Sequence, residues 1–343
     1  MSMVPNFDLQ SLCSVYDRGW LVPFIGSGMS RPACSDWPTL VARLQGQHES
    51  DRLITKPSNL IEKALFALQA LRHDGRDIPA ALADAIYSGD SGIPEQAIAL
   101  ASIVWPLICT TNYDDLYFRA KYDLLHKKCV GTLKLPRLLG RSEADCREVL
   151  RHVEFPAGEA IWALQGFLKP RSDEIMRALR GQCDFVQLER ELVVGHAEYR
   201  TVAHRALHFR RCFAELFRTR SFLFLGSGLA EPYFTSLFDE IIELMGPPVR
   251  PHFAVIQESE VNPEFMRQRY HIICRTYPKG EHRAVTELLR DLRQHLLGER
   301  ARPASWGYTV PTVVRPSASR PRIISDLFAA SCRNQQFFRK TKP

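Results

Sequence analysis

The chain of 343 residues has nine cysteines but no Cys-x-x-Cys pair. Their odd number and scattered positions argue against a disulfide framework and against a structural zinc site. Reduced thiols in a cytoplasmic protein are the expectation. No stretch approaches the roughly 20 consecutive apolar residues that cross a bilayer, so no membrane association is expected. The opening residues, MSMVPNFDLQSLC, lack a basic region followed by an apolar run, so no secretion signal is expected. Charge of one sign is not concentrated either. The net +7 is spread along the chain, apart from a basic tail between Arg333 and Lys342. No helix-turn-helix, finger or RNP pattern accompanies it, so a nucleic-acid partner has only the charge and that tail in its favour. The composition does supply 45% hydrophobic and 24% charged residues. That excludes a disordered chain and suffices for one large core, or one core with a helical subdomain.

Short apolar runs recur, with helical patterning between them. WLVPFI, residues 20–25, stops at Gly26 and reads as a buried strand. Helical patterning begins near Trp37 and continues through Leu40, Val41 and Leu44. A second helix follows Ser58, carries Leu60, Ile61, Ala64, Leu65 and Leu68 on one face, and closes at Gly75. A third covers about 79–85. Residues of about 45–100 therefore read as a helical insertion. Residues 103–110, IVWPLICT, predict the next strand, with Pro106 awkwardly inside it. The stretch 119–160 is irregular and partly helical. A brief apolar run at 161–164 precedes Gln165-Gly166, and an amphipathic helix is predicted over 204–218. SFLFL, residues 221–225, is a buried strand ending at Gly226. Strands at 252–256 and 272–276 and a helix over 283–297 complete the pattern. This alternation predicts an α/β fold with a doubly wound parallel sheet, one domain over 1–298. The proline-, serine- and arginine-rich residues 299–343 read as an extended arm and a basic C-terminal tail.

Two strands end in Gly-Ser-Gly, at Gly26-Ser27-Gly28 and Gly226-Ser227-Gly228. A glycine turn between strand and helix exposes backbone N–H groups where a pyrophosphate can approach. Arg31 and Glu231 stand where the third glycine of G-x-G-x-x-G would be, so the dehydrogenase fingerprint is incomplete. Each turn alone reads equally as structural; the pair points to a nucleotide. TTNYDD, residues 110–115, follows another strand. Ligands of doubly wound sheets lie at the carboxyl ends of strands, which would aim Asn112 and Asp114 into the crevice. The bland alternative makes both residues caps of a helix over 115–120.

Taken in order, these segments resemble the sirtuin family, and more closely its prokaryotic defence-associated branch of sirtuin-like NAD hydrolases. The family's G-A-G-x-S appears as Gly26-Ser27-Gly28-Met29-Ser30, with Trp37 following. Its T-x-N-x-D appears as Thr110-Thr111-Asn112-Tyr113-Asp114, its H-G step as Gln165-Gly166, and its last glycine turn as Gly226-Ser227-Gly228 through Glu231-Pro232. The resemblance spans about residues 15–297 and implies a Rossmann-like sheet of the sirtuin type. It implies NAD as substrate or ligand, with the pyrophosphate near Gly26, Ser27, Gly28 and Ser30. Thr111 and Asn112 would border the ribose, and Gly226, Ser227 and Gln257 the adenosine end. Asn112, Asp114 and Gln165 take the catalytic positions. It also implies a homo-oligomer and a partner protein such as an argonaute or a hexameric translocase. The four-cysteine zinc module of deacylase sirtuins is missing, so no zinc is expected.

One position departs from the family. Gln165 stands where the catalytic histidine precedes glycine. Glutamine donates and accepts hydrogen bonds but takes up no proton near pH 7. The resemblance assigns that histidine the role of base in deacylation, so no protein deacylase activity is expected. Cleavage of the nicotinamide–ribose bond asks less. Nicotinamide leaves as a neutral molecule, and the transition state is oxocarbenium-like. The implied function is release of nicotinamide and ADP-ribose, serving NAD depletion in antiphage defence. The alternatives are a non-catalytic NAD- or ADP-ribose-binding or assembly subunit, favoured by Gln165, and a nucleic-acid-associated subunit. His152 and His196 lie in the relevant stretch and read as ordinary surface or core histidines.

Overall fold

A strand buried on both faces needs apolar residues at every position, not at alternate ones. LVPFI and SFLFL meet that requirement, and all residues of Leu21–Ile25 (β1) and Ser221–Leu225 (β5) are buried. They lie side by side in parallel register, Leu21 opposite Ser221 and Ile25 opposite Leu225, at the centre of the sheet. The structure is a computed structural model describing residues 7–47, 60–87, 92–127, 134–195, 198–199, 201–202, 206–227, 229, 232–258 and 260–300. His196, Gly228 and Glu231 fall outside these residues, as do the arm and tail expected over 299–343 from residue 301 on; residues 299 and 300 instead end the last helix, Arg283–Arg300.

Five further strands extend the sheet. Leu107–Thr110 (β2), Ala160–Ala163 (β4) and Arg137–Leu139 (β3) lie on one side of β1. His252–Gln257 (β6) and Ile272–Tyr277 (β7) lie beyond β5. The order is β3-β4-β2-β1-β5-β6-β7, and every pairing is parallel. This is a doubly wound, Rossmann-like α/β fold. The chain leaves β1 toward β2, then crosses from β4 to β5 on the other side of β1. The resulting switch point lies between β1 and β5, where such sheets open a crevice at the carboxyl ends of the strands.

Two prolines shape the middle strands. Pro23 lies inside β1, and the ladder to β2 begins one residue later, at Phe24 opposite Cys109. A residue without an N–H thus sits where no ladder bond to β2 is made. Pro106 shortens the strand expected over 103–110 to Leu107–Thr110; its carbonyl accepts the N–H of Ala160 at 3.0 Å. The stretch expected to be irregular and partly helical over 119–160 holds a helix, Glu143–Glu154 (α7), whose N-cap Ser142 accepts the N–H of Asp145, and also the strand β3, which was not expected. A three-residue strand leaves too short an apolar run to read in advance.

Helices cover both faces. Leu9–Asp17 (α1), Glu95–Ala101 (α5), Leu116–Lys127 (α6) and Arg283–Arg300 (α13) pack on the face carrying Leu21, Ile25, Leu223 and Leu225. On the other face, α7, Leu207–Thr219 (α10), Pro232–Met245 (α11) and Pro263–Tyr270 (α12) bury Phe24, Phe222 and Phe224 beneath Phe209, Phe213, Phe217, Phe234 and Phe238. Trp37–Gly46 (α2), Leu60–His73 (α3) and Ile78–Ile86 (α4) share a separate core built on Leu44, Leu68, Leu71 and Leu82. Tyr113, Leu116, Leu168 and Leu192 join that core, so the three helices sit against the carboxyl end of β2. Two short helices, Asp173–Leu179 (α8) and Phe185–Arg190 (α9), follow β4.

The opposite, amino end of β2 and β4 is tied by an ion pair of buried Lys121 with partly buried Glu159. Lys121 Nζ lies 2.7 Å from Glu159 Oε2 and donates to the Ala101 carbonyl at 3.0 Å, while Glu159 Oε1 accepts the N–H of Trp105. Removing one charge strands the other, which costs about 3–5 kcal/mol; replacing both with well-packed apolar groups is far better tolerated. Lys121→Ala and Glu159→Ala are each expected to lower unfolding free energy by that amount in urea titration, and Lys121→Met/Glu159→Leu by much less.

Candidate functional site at the strand carboxyl ends

The glycine turn after β1 begins a single turn of 3-10 helix, Ser27–Ser30, and the turn after β5 lies directly against it. Gly26 donates to the Leu225 carbonyl at 3.0 Å, and Gly28 donates to the Gly226 carbonyl at 2.9 Å. A Cβ on Gly28 would lie 2.8 Å from Gly226 Cα. One on Gly226, whose φ is +61°, would lie 2.5 Å from the Met29 nitrogen. Glycine is therefore demanded first by backbone packed on backbone. Ser27 is exposed at the rim and Ser227 half-buried.

Asn112 joins this turn to β2. Its Nδ2 donates to the Gly26 carbonyl at 3.0 Å and to Ser30 Oγ at 2.9 Å. The carbonyl partner fixes the amide orientation, because an oxygen there would face another oxygen. Ser30 Oγ in turn donates to Asp114 Oδ2 at 2.6 Å, and Asp114 Oδ1 accepts the N–H of Leu116 at 3.1 Å. Asp114 thus bonds the first residue of α6 and also ends a buried chain from Asn112 through Ser30. Burial pushes its carboxyl up to about 6, against the bonds from Ser30 and Leu116, which favour the charged form. It remains mostly ionised at neutral pH, at a helix N-terminus that favours negative charge. Thr111 is pinned by its N–H to the Ile25 carbonyl at 3.0 Å. Behind the chain lies a cavity of about 20 Å³ lined in part by Ile25, Ser30, Thr110, Asn112 and Asp114. That is room for about one water molecule.

Gln165 follows β4, one strand beyond Asn112. Its side chain lies 3.3 Å from Tyr113 Oη and 3.4 Å from Tyr199 Oη, and only 4% of the residue is exposed. Tyr113 Oη also donates to the Val193 carbonyl at 2.5 Å. A phenol has one hydrogen, and the closer acceptor is Val193. Gly166 has φ +83°, and a Cβ there would lie 2.6 Å from the Leu192 nitrogen. Arg141, after β3, braces the same loop by donating to the Leu164 and Glu191 carbonyls at 2.7 and 2.6 Å.

Of the residues expected from sequence, Gly26, Ser30, Asn112 and Asp114 form one bonded group. Gly28 and Gly226 form its floor, and Gln165 stands beside it through Tyr113. Gln257 ends β6, two strands from β1, and its Oε1 accepts the N–H of Gly280 beyond β7. Sequence reading missed Tyr87, whose hydroxyl donates to Asp115 Oδ1 at 3.0 Å while the Arg171 guanidinium stacks 4.4 Å from its ring centre. That contact ties the helical subdomain to the residue next to Asp114. Nothing in the spacing of Tyr87 and Asp115 signals it. His152 is buried in α7 against the Gly158 carbonyl at 3.2 Å, and desolvation lowers its basicity. His252 begins β6 at the opposite edge. Its Nδ1 accepts the N–H of Phe222, and burial depresses it to about 3.

Residues 106–274 match the family model of the SIR2-like domain. The matched span is just under half the length of the chain. The match runs from the residue before β2 into β7, taking in Asn112, Asp114, Gln165 and the turn after β5. The glycine turn after β1 and the subdomain α2–α4 precede it, and their part in the site rests on the bonds above. No curated protein matches the chain.

Two outcomes follow from this geometry. Gly28→Val and Gly226→Ala are expected to destabilise the fold by about 3 kcal/mol or more, through strain and overpacking, before any ligand is present; thermal unfolding without ligand measures this. Asp114 holds its proton more tightly folded than unfolded, so its contribution to stability is present below pH 4 and lost as pH rises through about 6. The loss is on the order of 3 kcal/mol at about 1.4 kcal/mol per pH unit. Asp114→Asn is expected to flatten unfolding free energy between pH 4 and 6; an unchanged slope would place the titration elsewhere.

Proposed function

We propose that the protein binds NAD over the carboxyl ends of β1, β2, β4 and β5 and hydrolyses its nicotinamide–ribose bond. The observation that carries this reading is the buried hydrogen-bonded chain from Asn112 through Ser30 to Asp114, beside the paired glycine turns. Both amide hydrogens of Asn112 hold the turn, which leaves Oδ1 to position a water or a ribose hydroxyl. Nicotinamide departs neutral, and positive charge develops on the ribose. A fixed carboxylate in a water-poor site stabilises such charge more than the same group does in solvent. None of these steps requires a proton acceptor at Gln165. Deacylation would require one, and Gln165 is instead held between two tyrosines.

By its resemblance to the defence-associated sirtuin-like branch, we extend the proposal to NAD depletion in prokaryotic antiphage defence. The protein would act there as a homo-oligomer with a partner such as an argonaute or a hexameric translocase. A second reading, a pocket that binds NAD or ADP-ribose without turnover, is favoured by one observation: Gln165 is built into the Tyr113–Tyr199 contact, as a structural residue would be.

Purified protein incubated with NAD, alone and with the products of neighbouring genes, separates the two readings. On the hydrolase reading nicotinamide is released, at a rate that rises as pH passes through about 6 and Asp114 ionises. Asn112→Ala is expected to cut that rate on the order of 10²-fold, as for loss of a positioning group, and Gln165→His to keep or raise it. NAD binding by calorimetry without nicotinamide release, in both wild type and Gln165→His, selects the binding module. A rate indifferent to Asn112→Ala, or robust deacetylation of an acetyl-lysine peptide, contradicts the assignment.

A further inference from the structure

At the edge of the sheet opposite Asn112, two arginines lie over one tryptophan and a third stands beside them. Trp20 precedes β1, and its carbonyl accepts the N–H of Ser221 at 2.9 Å, where β5 begins. Arg18 follows α1, Arg220 precedes β5, and Arg250 stands two residues before β6. These are adjacent strands, spaced by about 4.8 Å, so the three side chains share one small area on a rigid base. The Arg250 guanidinium carbon lies 3.6 Å from the Trp20 ring centre, and that of Arg18 lies 5.1 Å from it.

Their hydrogen bonds leave the charge unopposed. Arg250 Nη1 donates to the Thr219 carbonyl at 2.6 Å. Arg220 donates to the same carbonyl and to that of Val153, both at 3.4 Å. Carbonyls carry no net charge. Among the described residues none of the three arginines forms an ion pair, whereas Arg72, Arg137, Arg171, Arg269 and Arg290 each do. Glu215 and Glu154 act on Arg220 only from beyond ion-pair distance. Arg220 Nε is buried without a partner, and so is the neighbouring Arg218 Nε. Burial first, and then Arg250, weakens the hold of Arg220 on its proton; burial first, and then Arg18, does the same to Arg250. Like charges held this close on a fixed frame call for an anion. Cation–π contact with Trp20 offsets part of their repulsion and holds the Arg250 guanidinium over the ring.

We propose that Arg18, Arg220 and Arg250, set around Trp20 at the amino ends of β1, β5 and β6, bind a phosphoryl group. Guanidinium forks match phosphate oxygens two at a time, which an isolated ammonium cannot do. The phosphoryl group belongs either to a nucleic-acid backbone or to a free nucleotide. The site lies across the sheet from the proposed NAD crevice and does not depend on that reading.

The test uses the full chain and three probes: a labelled short oligothymidylate by fluorescence anisotropy, and pyrophosphate and ADP by calorimetry, each over a range of salt. Wild type is expected to bind at least one of them. Arg18 is exposed, so Arg18→Gln keeps the fold and is expected to weaken binding about 3-fold or more. Arg18→Gln/Arg250→Gln, checked for an unchanged melting temperature, is expected to weaken it about 10-fold or more. For the oligonucleotide, the dependence of log affinity on log salt should also become shallower by about one for each phosphate-binding arginine replaced. Tighter oligonucleotide binding with a steep salt dependence identifies a nucleic-acid backbone; tighter pyrophosphate or ADP binding identifies a free nucleotide. Equal affinity of wild type and double variant for every probe, or no binding by wild type at millimolar concentrations, overturns the proposal.

Discussion

The site depends on two glycine turns pressed together at the carboxyl ends of β1 and β5. Gly28 donates to the Gly226 carbonyl, and neither residue has room for a Cβ. The contact closes the point where the sheet reverses its winding and sets the position of Gly26 and Ser30. Asn112 then bonds both, and Ser30 bonds Asp114. A shift of either turn would break three hydrogen bonds among buried groups, and such groups are costly to leave unpaired.

The same chain explains how a carboxylate survives deep in the protein. Desolvation alone would hold Asp114 neutral well above its ordinary range. The Ser30 hydroxyl and the Leu116 N–H pull it back, so that it titrates at about 6. A group in this position is charged at neutral pH yet carries unrelieved electrostatic cost. Perturbed carboxylates of this kind concentrate at functional sites. Asp115 next to it is also raised by burial, and one of its oxygens is buried without a partner. The bond from Tyr87 to that residue carries the helical subdomain α2–α4 to the edge of the site. That bond adds to the apolar packing of Tyr113 and Leu116 against the same helices.

The two edges of the sheet differ in chemistry. The carboxyl edge gathers Asn112, Asp114, Gln165 and the glycine turns. The amino edge gathers guanidinium groups around Trp20 and the ion pair of Lys121 and Glu159. In a parallel sheet every strand begins at one edge and ends at the other, so residues just before strands and just after them segregate without any further instruction.

That rule is why much of the site was legible in the amino-acid sequence. WLVPFI, SFLFL and the runs around 252–256 and 272–276 are apolar enough to be strands buried on both faces. Each residue that follows such a run must then lie at the carboxyl edge. Gly26, Asn112 and Gly226 were placed there by local pattern, and Gln165 and Gln257 by the family resemblance. Their grouping was not local. Asn112 reaches Gly26 and Ser30 across more than eighty residues of chain, and the side chain of Gln257 turns instead toward Gly280. The short β3, the glycine-on-glycine contact, the Tyr87–Asp115 bond and the arginine cluster likewise arise from strand order. Strand order is set by how helices pack on both faces of the sheet. Periodicity in sequence reports which face of an element is buried, but not which element lies next to it, and neighbours in space decide hydrogen bonds and charge.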